Sequence, residues 1–171
     1  MIKLLIFLTL ITQTFANTLT IEPFEAEFIQ TVTNTSGKSI KYKGKIYLDN
    51  NDNILWKYLT PTTKNIYINK NNLVIEEPEL EQAIITNIQD MLNLNQLLEK
   101  AIHIENNIYE AIAYDTKYKI MLNGKNIRQI QYNDPLDNTI VINFFSLKNK
   151  DSFQAGLFNF VAKDYYDIIR K

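Results

Sequence analysis

The sequence predicts a mainly β fold, a curved antiparallel sheet or barrel interrupted by one short helix. Three observations carry this expectation. From Phe24 onward, run after run alternates apolar and polar residues with a period of two, as strands with one buried and one wet face do. The runs are short and regularly separated by turn-forming Asn, Asp, Gly and Pro, which favours antiparallel neighbours. One segment, Ile88 to Ile102, changes to near-helical spacing.

Before the first strand, Met1 to Ala16 read as a secretory signal peptide. Lys3 supplies the positive start, Leu4 to Ile11 form an apolar stretch too short to span a bilayer, and Ala16 offers a small residue before a cut. Residues 17–171 are then expected to form a single exported domain. The chain has no cysteine, so an exported domain must be held by its core rather than by disulfides. Asn17, not cysteine, follows the cut, so the chain is not expected to be lipid-anchored itself.

In the first strand Phe24, Ala26, Phe28, Gln30 and Val32 share one face, and Asn34 to Lys38 supply a turn. In the second, Ile40, Tyr42, Gly44, Ile46 and Leu48 alternate with Lys41, Lys43, Lys45 and Tyr47. A turn over Asp49 to Asn53 leads to a third, where Ile54, Trp56 and Tyr58 share a face up to Pro61. Further strands are expected at 65–69, 72–76, 81–86, 108–114, 118–122, 127–132, 140–145 and 157–161. The helical segment places Ile88, Met91, Leu92, Leu94, Leu97, Leu98, Ala101 and Ile102 on one side, with Asp90 and Glu99 on the other. It is either a plug over one face of the sheet or a movable lid.

The chemistry of catalysis or metal binding finds little to stand on. His103 is the only histidine and lies at the end of the helical segment. No His or Cys cluster exists to bind a transition metal. The run Glu76, Glu77, Glu79, Glu81 lacks the spaced ligands and glycine of a calcium loop. Asp134 and Asp137 are accounted for by a turn. No phosphate-binding glycine loop and no nucleophile turn appears, so neither a cofactor nor a metal is expected. With 18 basic and 19 acidic residues interspersed and a net charge of −1, the chain has no electrostatic footprint for nucleic acid. What stands out is apolar matter: one tryptophan, ten tyrosines and nine phenylalanines. On composition a filled core explains them, but a curved sheet can also enclose a ligand cavity.

The stretch from Phe24 to Val32 resembles the F-x-A-x-F-x-Q-x-V opening of the periplasmic outer-membrane lipoprotein carrier family, LolA. Gly44 to Leu48 is similar to the family's G-x-L strand, and Leu55 to Pro61 to its F-x-W-x-Y-x-x-P segment. Leu73 to Gln82 resembles the strand and turn ending in L-x-Q, and Asp134 to Asn138 the D-x-x-G-N turn. Phe158-Asn159-Phe160 and Asp167-Ile168-Ile169 are similar to the closing F-x-F and D-V-I. The resemblance spans Phe24 to Ile169. It implies an incomplete, unclosed antiparallel β-barrel with a short helical lid, a non-enzymatic monomer located in the periplasm. Such a carrier takes acylated lipoproteins from an inner-membrane ABC-transporter complex and passes them to an outer-membrane acceptor. The residues expected to line an acyl-chain cavity are Ile46, Leu48, Ile54, Trp56 and Tyr58, with Leu94, Leu97, Leu98 and Ile102 from the helix. Asn50 stands where many members have an arginine that bonds to the lid, so closure here is expected to rest on apolar packing. Only Asn17 to Pro23 precede the first strand, which shortens the family's N-terminal helix. Two other readings fit the same residues: a periplasmic lipid- or lipoprotein-sensing module of this fold, and an enzyme using cavity carboxylates.

Overall fold

The computed structural model describes residues 21–69, 72–87 and 94–171. Residues 1–20, which include the expected signal segment, and the start of the expected helix lie outside the described residues.

A single twelve-stranded sheet dominates the described residues. Strands β1 (Phe24–Thr33), β2 (Ser39–Leu48), β3 (Ile54–Thr60), β4 (Lys64–Asn69), β5 (Asn72–Glu77) and β6 (Gln82–Asn87) pair in sequence order as one antiparallel meander. A second meander contains β7 (Ile102–Glu105), β8 (Ile108–Ala113), β9 (Thr116–Asn123), β10 (Asn126–Asn133) and β11 (Thr139–Asn149). The two join where β11 pairs with β1 in the middle of the sheet. Helix α1 (Leu94–Glu99) lies on the connection from β6 to β7. In the sheet β7 is one edge and β6 lies beside the other. Leu94, Leu97 and Leu98 are buried in the same cluster as the inward faces of the strands, so α1 packs on the concave side.

Alternation sets which face is which. Phe24, Ala26 and Phe28 of β1, Ile46 and Leu48 of β2 and Ile54 of β3 all point into the main core, and all are buried. Gly44 is required at its place: it pairs with both Phe28 and Tyr58, and a Cβ there would run into the Lys57 carbonyl and lie 2.7 Å from the Phe28 ring. The Phe28 ring occupies that space and packs edge-on against Trp56 and Tyr58, with centroids 5.1 Å away in each case.

Three hairpins share one turn geometry. In each, the side-chain oxygen of the first residue accepts from the backbone amides two and four positions on: Asn34 from Ser36 and Lys38, Asp49 from Asn51 and Asn53, Asp134 from Leu136 and Asn138. The fourth residue is left-handed, with φ of 80° at Gly37, 62° at Asp52 and 60° at Asp137. Asn and Asp tolerate that conformation better than other side chains.

Two expectations are corrected. First, the helix stops at Glu99, and Ile102 belongs to β7, where it is 69% exposed. Ile102 and Ile104 are β-branched and favour a strand. The following Asn106-Asn107 turn, with Asn106 at φ 47°, folds them back against β8 as a hairpin. Second, Leu157 to Val161 form no strand; residues 150–166 run without regular pairing over the convex face of the first meander. Phe158 and Tyr166 are buried there, as are Leu55 and Ala83 on that face, and Tyr67 meets Phe160 at 5.9 Å. The antiparallel sheet expected from the sequence is present, and this segment adds to its edge β12 (Asp167–Arg170), which pairs parallel with β6. The acidic run is also resolved: Glu76 is buried beneath the segment and accepts from Asn65 Nδ2 (2.8 Å), the Tyr67 hydroxyl (3.1 Å) and the Tyr166 hydroxyl (3.1 Å).

Candidate functional site: an inner cavity beneath the helix

The concave face encloses a cavity of about 260 Å³. Ile54, Trp56, Tyr58 and Leu94, four of the residues singled out from the sequence, line it directly. Ile46, Leu48, Leu97 and Leu98 belong to the same apolar cluster but form its packed floor and roof rather than the cavity wall. Ile102 is outside, on the exposed edge strand. The sequence reading missed the opposite wall, Ile130, Tyr132 and Ile142 with Tyr118, and the flank formed by Ile66 and Ile68. Period-two alternation marked those strands, but only the pairing of β11 with β1 brings the second meander across from the first.

The cavity is graded along its length. Ile54 and Ile68 pair across β3 and β4 toward the end bearing the 49–53 turn. Gln30, Tyr58, Tyr118 and Tyr132 lie toward the other end, near the 34–38, 61–63, 114–115 and 134–138 turns. The Tyr58 hydroxyl donates to Gln30 Oε1 at 2.7 Å, and the Tyr118 and Tyr132 rings are 4.9 Å apart. Burial drives the Tyr58 phenol far above its ordinary pKa, with the neighbouring Tyr132 and Tyr42 adding to it. Burial likewise raises Tyr132 to about 12, helped by Tyr118 and Asp134. Both phenols are therefore neutral hydrogen-bonding groups throughout the physiological range. Among the described residues no charged side chain lines this cavity.

The remaining candidates fall elsewhere. Asn50 is exposed and borders a separate groove of about 370 Å³ between the 49–53 turn and residues 151–159, sharing no lining residue with the inner cavity. His103 is exposed on β7, with Nε2 bonded to the Asn106 carbonyl at 2.8 Å and its ring against Tyr109; it steadies the hairpin. Among the described residues no group of His, Asp or Glu is arranged to hold a metal ion.

Residues 20–108 match the family described as outer membrane lipoprotein carrier protein LolA. Along nearly its whole length, 166 residues and 97% of each chain, the protein is 34% identical to the outer-membrane lipoprotein carrier protein of Campylobacter jejuni. The chain belongs to the LolA family. A second relative, the outer-membrane lipoprotein carrier protein of Wolinella succinogenes, is 34% identical over 149 residues, 86% of this chain and 87% of that one. A conserved protein from Thermus thermophilus superposes with a TM-score of 0.55 at 12% identity, covering 88% of this chain and 91% of that one. Here the LolA fold is represented by the two meanders, the bridging α1 and the apolar cavity between them.

Proposed function

We propose that this protein is a periplasmic chaperone that shelters the acyl chains of lipoproteins on their way from the inner to the outer membrane. The observation that carries this reading is the cavity bounded by Ile54, Trp56, Ile66 and Leu94, a largely apolar space with no charged group among the described residues that line it, in a chain of the LolA family. Each acyl methylene taken out of water is worth ~0.8 kcal/mol, so long chains do not cross an aqueous compartment unaided. Apolar contacts supply shelter without a polar anchor, which keeps onward transfer downhill. Function of this kind is binding and release, with no bond made or broken.

The cavity as it stands is small. At about 260 Å³ it falls below the ~300–1,000 Å³ usual for drug-sized ligands, so long acyl chains need more room than this arrangement offers. Loading requires α1 to move away from the inner face, enlarging the space between the two meanders. Ile46, Leu48, Leu97 and Leu98 then join the wall. Residues 1–16 direct export and are removed after Ala16. The carrier receives cargo from an inner-membrane ABC transporter and delivers it to an acceptor at the outer membrane, working as a monomer.

The test is purification of the exported protein followed by mass spectrometry of whatever accompanies it. Proteins with an acylated N-terminal cysteine are expected. Recovery of free phospholipid alone, from cells actively releasing lipoproteins, contradicts the reading.

A further inference from the structure

An apolar cavity needs no polar lining, yet one end of this one has four groups able to hydrogen-bond. Gln30, Tyr58, Tyr118 and Tyr132 share the cavity wall with six aliphatic residues and Trp56. Polar groups in an apolar site are costly when they lack partners, and such groups usually orient a ligand. Tyr58 spends its proton on Gln30 Oε1, which fixes the Gln30 amide and leaves its Nε2 donor for another acceptor. Gln30 and Tyr132 are both half-buried and neither carries a buried atom without a partner, so their polar atoms sit where a ligand can take the place of water. The donors at this end are thus an amide and a phenol, both neutral, and among the described residues that line the cavity there is no lysine or arginine.

We infer that this end of the cavity receives the neutral carbonyls, ester or amide, that join acyl chains to the cargo's head. The chain ends run toward Ile54, Ile68 and Leu94. This deepens the carrier reading and rests on it. It specifies acyl chains in neutral linkage, and it disfavours free fatty acids, whose carboxylate would enter a site without a cation. It also gives the cargo a polarity: the head leaves the barrel at the end bearing the 34–38, 61–63, 114–115 and 134–138 turns.

The test compares two probes on the same protein: a synthetic triacylated cysteinyl peptide, and N-phenyl-1-naphthylamine, which is apolar and has no carbonyl. Tyr132→Phe removes only the hydroxyl. The double variant Gln30→Leu with Tyr58→Phe removes both partners of one hydrogen bond, so neither is left unsatisfied. Each is expected to weaken the lipopeptide about fivefold, the value of one typical hydrogen bond, with naphthylamine affinity unchanged. Unchanged lipopeptide affinity in both variants overturns the inference while leaving the carrier reading intact, and so does an equal loss for both probes. A wild-type protein that takes up naphthylamine but not the lipopeptide overturns the carrier reading and this inference together.

Discussion

At Gly44 the strand pattern and the core meet in one residue. The Phe28 ring lies over it and the Lys57 carbonyl closes the other side. Gly44→Ala is therefore expected to destabilise the fold by ~1–3 kcal/mol or more, as overpacking does, read as a lower denaturant midpoint with unchanged slope. Asp134 makes a different kind of contribution. The Asn138 side chain, ahead of the Asn138 and Leu136 amides, holds its carboxyl below the ordinary carboxylate range, against a smaller opposing effect of desolvation. A depressed folded-state pKa means stability that is present above the unfolded value of ~3.9 and lost as pH falls through the folded one. Asp134→Asn keeps the acceptor oxygen that Asn34 provides in the equivalent turn, but not the charge. The variant is expected to be less stable than wild type at pH 7, the gap narrowing as an acid titration passes below the usual carboxylate pKa. Several residues of the site were legible at this scale: the alternation in Ile54-Leu55-Trp56-Lys57-Tyr58 is enough to put Ile54, Trp56 and Tyr58 on one face. Gln30 was legible as inward-facing, but not as a partner for Tyr58, because that contact is made across β2 between strands that do not pair.

Among the elements, α1 is the one whose packing differs most from the rest. It is six residues long, too short to be stable by itself, and its described apolar side chains Leu94, Leu97 and Leu98 are buried in the sheet's own core. Among the described side chains of α1, these three hold it to the sheet. Leu97→Ala with Leu98→Ala is expected to raise the open population sharply, since each such truncation in a core costs ~2–5 kcal/mol. Hydrogen exchange over 94–99 should quicken accordingly. Asn50→Ala should leave it unchanged, since Asn50 borders another groove. Moderate salt should have little effect, because apolar burial is not screened as charge contacts are. The sequence located this helix but overextended it, since the leucines and the isoleucines that follow share a helical spacing. What decides at Ile102 is the β-branched pair and the Asn106-Asn107 turn. The strand expected at Leu157 to Val161 fails for a related reason. Phe158 and Phe160 alternate because one surface of a sheet lies beneath them, not because another strand hydrogen-bonds to them. β12 offered only Ile168 and Ile169 as a signal, and its partner β6 is more than eighty residues earlier in the chain.

For the whole molecule, the connection between meanders explains how a single chain can be both a closed core and a container. Eleven of the twelve strands follow sequence order within two halves, and among the described residues α1 is the element that stands between the last strand of the first half, β6, and the edge strand β7 of the second. Moving it breaks no strand pairing. The convex side is secured separately by residues 150–166 over Leu55, Ala83 and the Glu76 network, so the concave side can open while that layer stays in place. Trp56 is the only tryptophan in the chain and lines the cavity, which makes its emission a direct report on occupancy. The decisive measurement is a titration of the protein with a triacylated cysteinyl peptide and, in parallel, with the same peptide lacking its acyl chains. The carrier account predicts saturable binding of the acylated peptide at one site per chain, with a change in Trp56 emission, and no response to the other. Saturable binding that leaves Trp56 emission unaltered, or equal binding of both peptides, would contradict it.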